Sequence, residues 1–214
     1  MDKSVTNFYG KNAENNYANN YDSEHGPRLD DVIAHFKLKD IKNKSILDVG
    51  GGRGFLGKRL DESNQYFVFD GATVEKPLCQ GMWVKTDLDR DYFANGFENK
   101  FDVAFCLETL EHLTNPYNCL AEIKKMVKIG GDIYLSIPDL GMQHNTIYPG
   151  LIYGGFDQFL QQMALEPQGY FLWDKGWPIR NWHCKNRPWE ESKMLFPKYE
   201  EKFKGKTPIE YTNL

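Results

Sequence analysis

The segment Ile46-Leu47-Asp48-Val49-Gly50-Gly51-Gly52-Arg53-Gly54 restricts the fold more than any other stretch of the chain. A short apolar run, Ser45–Val49, passes directly into glycines at 50, 52 and 54. Glycine is required where a backbone turns at positive φ or comes close to a ligand. A strand ending in such a turn and entering a helix opens a βαβ unit, and a series of such units builds a parallel sheet covered on both faces. The chain continues in that alternation. Strands are predicted at Gln65–Phe69, Met82–Lys85, Phe101–Leu107 and Asp132–Ile137, and helices at Arg28–Phe36, Arg53–Leu60 and Pro116–Lys128. Asn115 is a good N-cap for the last of these helices, Pro116 takes its first position, and Gly130 follows its end. The expected class is α/β, a doubly wound, mostly parallel sheet that binds ligands at the carboxyl ends of its strands.

The flanks read differently. Residues 1–27 are polar and rich in Asn, with Phe8, Tyr9, Tyr17 and Tyr21 scattered among them, as in an arm that folds over something. After Pro138 a Gly- and Tyr-rich loop is expected to residue 156, then a helix from Asp157 to Leu165 and strands at Tyr170–Trp173 and Ile179–Cys184. The expected organisation is an arm and cap helix over 1–44, a ligand-binding domain over 45–184, and a basic tail over 185–214 near the acceptor side.

The chain carries 41% hydrophobic and 26% charged residues in 214, which excludes disorder as its global state. No run reaches the roughly 20 apolar residues of a membrane span, and the first twenty residues hold no apolar leader segment. Cys79, Cys106, Cys119 and Cys184 form no C-x-x-C pair, as expected of reduced thiols in a cytoplasmic protein. The net charge is −4, with acid concentrated in the central residues and base toward the C-terminal part, which argues against nucleic acid as the partner.

Four positions carry the chemistry. Asp48 precedes the glycine turn, where a carboxylate suits a ligand's ammonium group and would repel a pyrophosphate. The glycine spacing is G-x-G-x-G, unlike the G-x-G-x-x-G of dinucleotide binders. Asp70 ends the next strand, about 20 residues beyond Gly50, the interval of a carboxylate that binds ribose hydroxyls. Thr86-Asp87-Leu88 follows the weak third strand, where Asp87 would meet an adenine amino group. The fourth is Phe101–Leu113, ending in Glu108-Thr109-Leu110-Glu111-His112-Leu113. For Asp48 and Asp70 the competing reading is N-capping of the following turn, and for Asp87 an ordinary turn acid.

"LDVGGGRG", "FVFDG", "KTDLD", "FDVAFCLETLEHL" and "GGDIYLSIPD" occur in this order over residues 28–138. Together they resemble the class I S-adenosylmethionine (SAM)-dependent methyltransferases. The resemblance implies a Rossmann-like, seven-stranded sheet whose last strand is antiparallel. It implies SAM as cofactor, with Gly50 and Gly52 at its methionine end, Asp70 on the ribose, Asp87 and Leu88 at the adenine, and Leu107 packed nearby. Arg28 matches a SAM-contacting Arg of the ubiquinone-biosynthesis O-methyltransferases. Gly51 departs from the pattern, which has Cys, Ala or Ser more often.

Those O-methyltransferases carry Glu-x-x-Glu-His, here Glu108, Glu111 and His112, which would share one helical face and bind a divalent metal. The competing and favoured reading has no metal. His112 and His144 are candidate general bases, with His25 and His183 behind them. Trp173, Trp177, Trp182, Trp189 and Tyr170 read as core or lid packing, and Lys175, Arg180, Lys185 and Arg187 as either a solvated face or a site for an anionic part of the acceptor. The expected reaction is O-methylation of a small polar or glycan-like acceptor. N-methylation of a small amine, an NAD-dependent oxidoreductase and a SAM-binding protein without turnover stay open. No N-P-P-[YFW] set and no Pro-Cys nucleophile point to a nucleic-acid acceptor, no membrane partner is expected, and a homodimer is left open.

Overall fold

The computed structural model describes residues 18–72, 74, 76–90, 92–139, 156–175 and 178–191. Helix α1 (Ala18–His35) precedes strands β1 (Ser45–Val49), β2 (Gln65–Asp70), β3 (Met82–Lys85) and β4 (Phe101–Leu107). Helix α2 (Pro116–Met126), β5 (Val127–Pro138), α3 (Phe156–Gln162), β6 (Leu165–Trp173) and β7 (Ile179–Asn186) follow. One seven-stranded sheet has the order β3-β2-β1-β4-β5-β7-β6. Strands β1 to β5 pair in parallel, and β7 runs antiparallel to both β5 and β6.

Alternation along each strand feeds two cores. On one face Leu47, Phe69, Ala104 and Leu135 meet Leu120 and Ile123 of α2 and Phe159 of α3. On the other, Ile46, Val68, Phe105 and Tyr134 meet Leu29, Val32 and Ile33 of α1. Both faces of β1 are fully buried, which is why it reads as an unbroken apolar run. Each buried Leu, Ile, Val or Phe among them contributes about 1.5–3 kcal/mol.

Three expectations are corrected. Helix α1 starts at Ala18, upstream of Arg28, and contains Pro27. Proline lacks the N–H and crowds the preceding turn, so it normally marks a helix start. Here tertiary contacts hold the upstream turns: Tyr21 packs on Phe55 with ring centroids 4.5 Å apart, and Asp22 pairs with Lys58 and with Arg59 Nη2, the latter at 2.8 Å. The helix expected over Arg53–Leu60 is a series of turns with one 3-10 turn, Gly57–Arg59. Gly52 and Gly54 stand at φ 53 and 84, outside helical geometry. Helix α2 is capped as expected, Asn115 Oδ1 accepting from Asn118 N at 3.2 Å, but it stops at Met126 because Val127 pairs with Phe101 and begins β5. Residues 140–155, including His144, lie outside the described residues, as do Trp177 and the tail beyond 191.

Candidate active site

At the carboxyl ends of β1 and β4 the glycine turn, α1 and Leu107 form an open cleft lined by Tyr21, Leu29, Asp48, Gly50–Gly52, Arg53, Phe55, Leu56 and Leu107. Gly50 has φ 74, and its N–H donates to Phe69 O at 2.8 Å. A Cβ there would collide with Thr109, whose hydroxyl donates toward Val49 O and Leu107 O. At Gly52 a Cβ would meet nothing within 4 Å. The turn is thus pressed against protein at Gly50 and open at Gly52.

Asp70 stands behind the turn. Its Oδ2 accepts from Gly52 N at 2.9 Å and its Oδ1 from Ala72 N at 2.8 Å, and burial raises its carboxyl above the usual range despite these donors. Asp48 is 3% exposed and accepts a hydrogen bond from the Tyr66 hydroxyl. Burial, with a smaller contribution from the nearby Asp70 charge, pushes its carboxyl up to about 7. Asp87 and Leu88 lie apart from the cleft wall. Asp87 accepts from Asp89 N at 3.1 Å and pairs with Arg90 Nε at 3.2 Å, while Leu88 joins the core.

Arg28 is buried, and its Nε and Nη1 have no hydrogen-bond partner. Its guanidinium hydrogen-bonds the Tyr21 phenol and acts on Glu108. Glu108 takes φ 53, unusual for a residue with a side chain. Its N–H donates to Ser136 O at 3.1 Å, and its Oε1 accepts from Ser136 Oγ at 3.0 Å. Glu111 is fully buried with neither carboxylate oxygen hydrogen-bonded, and burial, then the Glu108 charge, drive its carboxyl well above the ordinary range. His112 Nε2 lies 3.6 Å from Glu111 Oε1.

The helical face expected to align Glu108, Glu111 and His112 does not form. Glu108 sits in the left-handed region and Leu110–His112 is a single 3-10 turn. Among the described residues no three His, Cys, Asp or Glu side chains converge as metal ligands. The four C-terminal cations do not gather on one anion-binding face either. Lys175 pairs with Asp31 (2.9 Å), Arg180 with Asp139 (3.1 Å), Lys185 with Asp132 (2.7 Å) and Arg187 with Glu166 (Nε, 2.6 Å). Trp173 donates to Asp31, Trp182 packs on Phe156 and Tyr170, and Trp189 lies under Lys124. His183 contacts Asp132 at 2.6 Å and stacks on Tyr134, and His25 packs on Tyr21. The four cysteines are free. Tyr21, Phe55 and Tyr66 were missed as site residues. Their signals were an aromatic in the polar arm, one in the glycine segment, and a tyrosine on the same face of the sheet as Asp48.

Residues 21–185 match a family model described as a methyltransferase domain. A ubiquinone biosynthesis O-methyltransferase of Pseudomonas entomophila is 32% identical over 111 residues, 45% of this chain and 45% of that protein. A tRNA U34 carboxymethyltransferase of Mannheimia succiniciproducens is 29% identical over 132 residues, covering 57% and 40%. The aligned part is less than half the length of either relative. Among solved structures, the Burkholderia thailandensis 1,6-didemethyltoxoflavin-N1-methyltransferase, bound to S-adenosylhomocysteine, is similar with a TM-score of 0.64 and 13% identity over 86% of this chain and 87% of that one.

Proposed function

The chain belongs to the methyltransferase-domain family as a class I SAM-dependent methyltransferase, and on that basis we propose that it methylates an oxygen of a small polar or glycan-like acceptor, with the cleft under α1 as its cofactor site. When bound, SAM supplies a methyl group already activated on a positively charged sulfur. The residues present fit it. Arg28 carries the reading: a buried guanidinium with Nε and Nη1 unpartnered, bonded to the Tyr21 that lines the cleft, would take an anionic group such as the carboxylate of the methionine moiety. Asp48 lines the cleft and suits the ammonium group, and Gly52 leaves the space where a side chain would stand empty. Asp70, held at the turn by Gly52, would accept from the ribose hydroxyls, with Leu107 along the wall.

What remains for the protein is alignment and exclusion of water, which together are worth about 7–11 kcal/mol. Tyr21 and Phe55 close one side of the cleft. An oxygen acceptor must lose a proton, and His112 beside the Glu111 carboxylate, or His144, would take it. The arm over 1–27 and residues 139–190 would shape the acceptor pocket. The O-methyltransferase name of the first relative supports oxygen, and the tRNA name of the second makes RNA an arm of the test.

The test is calorimetry with S-adenosylhomocysteine, followed by transfer of labelled methyl from SAM to a panel of phenols, sugars, small amines and bulk tRNA. Binding and label in a hydroxyl compound are expected. Label in amines or tRNA instead would overturn the acceptor class, and absence of binding would overturn the cleft as cofactor site.

A further inference from the structure

Three glycines after β1 clear space for the adjoining side chains of Asp48, Tyr66 and Cys79. A Cβ on Gly51 would overlap the Asp48 carboxyl, one on Gly57 would lie 2.5 Å from Tyr66 Cε1, and one on Gly54 would lie 2.8 Å from Cys79 Sγ. The Gly57 amide is hydrogen-bonded to the Tyr66 phenol, and the phenol donates to Asp48 Oδ2. Ile46 and Tyr66 are register partners on β1 and β2, so Asp48 lies two residues further along the same face toward the cleft. Gly51 is the position at which this chain departs from the pattern it resembles, and here a side chain would displace the carboxylate from the phenol.

We propose that Tyr66 is a positioning residue for the cofactor: its hydroxyl holds the Asp48 carboxylate beneath the glycine turn in the orientation that receives the cofactor's ammonium group, and Gly51 is glycine to leave that orientation open. A strand-end carboxylate can rotate about two bonds. Tying one oxygen to a buried phenol fixes it, and the hydrogen bond favours the charged form that an ammonium group needs. The proposal rests on reading the cleft as the cofactor site. The ionisable groups that act on Asp48 or feel its charge are Tyr21, Tyr66, Asp70, Cys79 and Cys106. Burial raises both tyrosines and Cys79 above their ordinary values, and the hydrogen bond to Cys119 together with burial does the same for Cys106, so that Asp48, pushed up to about 7, is the group of this set placed to change charge near neutrality, with Asp70 raised in the same direction.

The test measures S-adenosylhomocysteine affinity of the full chain by calorimetry between about pH 6 and 8.5, for the wild type, Tyr66→Phe, Asp48→Asn and the double variant. Wild-type affinity is expected to rise as Asp48 ionises. Tyr66→Phe keeps the ring and removes one hydroxyl. It should weaken binding roughly tenfold at neutral pH and move the acid-side midpoint upward by about one unit, from the usual strength of a hydrogen bond to a charged group. In the Asp48→Asn background the same change should cost less than about twofold, because its partner carboxylate is gone. Gly51→Val, which displaces the carboxylate from the other side, should shift the midpoint in the same direction. An unmoved midpoint in Tyr66→Phe, or an equal loss with and without Asp48, would overturn the proposal. Failure of the wild type to bind would instead overturn the cleft reading.

Discussion

The backbone N–H of Gly52 donates to Asp70 Oδ2 at 2.9 Å, which joins the turn after β1 to the last residue of β2. The acid expected at the ribose therefore also holds the glycine that faces the open cleft. Asp70→Ala is expected to lose both the ligand contacts and this anchor. S-adenosylhomocysteine affinity should fall more than about tenfold, because each hydrogen bond to a charged group is worth about 1.5–3 kcal/mol. Calorimetry reads this directly. Affinity within about twofold of wild type would show that the carboxylate serves the turn alone.

Gly50 and Gly52 should separate folding from binding. Gly50→Ala forces a side chain into a left-handed conformation and onto Thr109, whose hydroxyl bridges two backbone carbonyls. It should destabilise the protein by about 3 kcal/mol, of which roughly 1–2 kcal/mol is conformational. Gly52→Ala meets open space and should cost only the conformational part while impairing cofactor binding. Urea unfolding together with calorimetry tests the contrast.

Arg28→Lys keeps a charge and removes the planar fork. With Nε and Nη1 buried and unpartnered, the fork is what a carboxylate would meet. Affinity for S-adenosylhomocysteine should drop at least about tenfold, with a smaller loss for an analogue lacking the carboxylate. Equal losses for the two ligands would place Arg28 outside the carboxylate site.

The raised carboxyl of Asp48, about 7 against an ordinary 3.8, sets a pH dependence of the ligand-free protein. The folded state keeps the proton to higher pH than the unfolded chain does. Stability is therefore lost as pH rises from about 4 through about 7, and the loss is complete above that. Asp70, Glu108 and Glu111 act in the same direction. Asp48→Asn should be more stable than wild type at pH 8 by about 2–4 kcal/mol and near it at pH 4, measured by urea unfolding without ligand. A constant difference across pH would show that Asp48 titrates normally.

Lys124 offers a control at the opposite end of the sheet. Its buried ammonium reaches Asn186 Oδ1 at 2.6 Å, Arg187 O at 2.9 Å and Ala164 O at 3.2 Å, tying α2 to the end of β7. Lys124→Met leaves those acceptors unsatisfied and should cost about 3 kcal/mol of stability without altering ligand affinity beyond about twofold. A large change in affinity would mean that this clasp and the cleft are coupled.

The strands were the most legible part of the chain. Strands β1, β3 and β4 have the limits read from their residues, because both faces of β1 and β4 are buried and their apolar runs end where burial ends. The segment after β1 was misread for a local reason. Phe55, Leu56 and Leu60 have helical spacing, yet Phe55 packs on Tyr21 and glycines at positive φ keep the segment from winding. Metal ligation by Glu108, Glu111 and His112 assumed a helix, and one left-handed residue at Glu108 removes that geometry.

Local pattern was enough for the α/β class, for the glycine turn after a strand, and for acids at the ends of β1 and β2. Those features follow from periodicity and from the conformational freedom of glycine, which act over a few residues. Contacts between distant segments set the rest. The placement of Tyr21 over the turn, the unpartnered donors of Arg28, the pairing of Lys175, Arg180, Lys185 and Arg187 with acids, and the phenol that holds Asp48 all depend on residues brought together from separate segments of the chain. A buried polar group takes its charge and orientation from whichever partner packing brings within reach, and spacing along the chain carries no record of that partner.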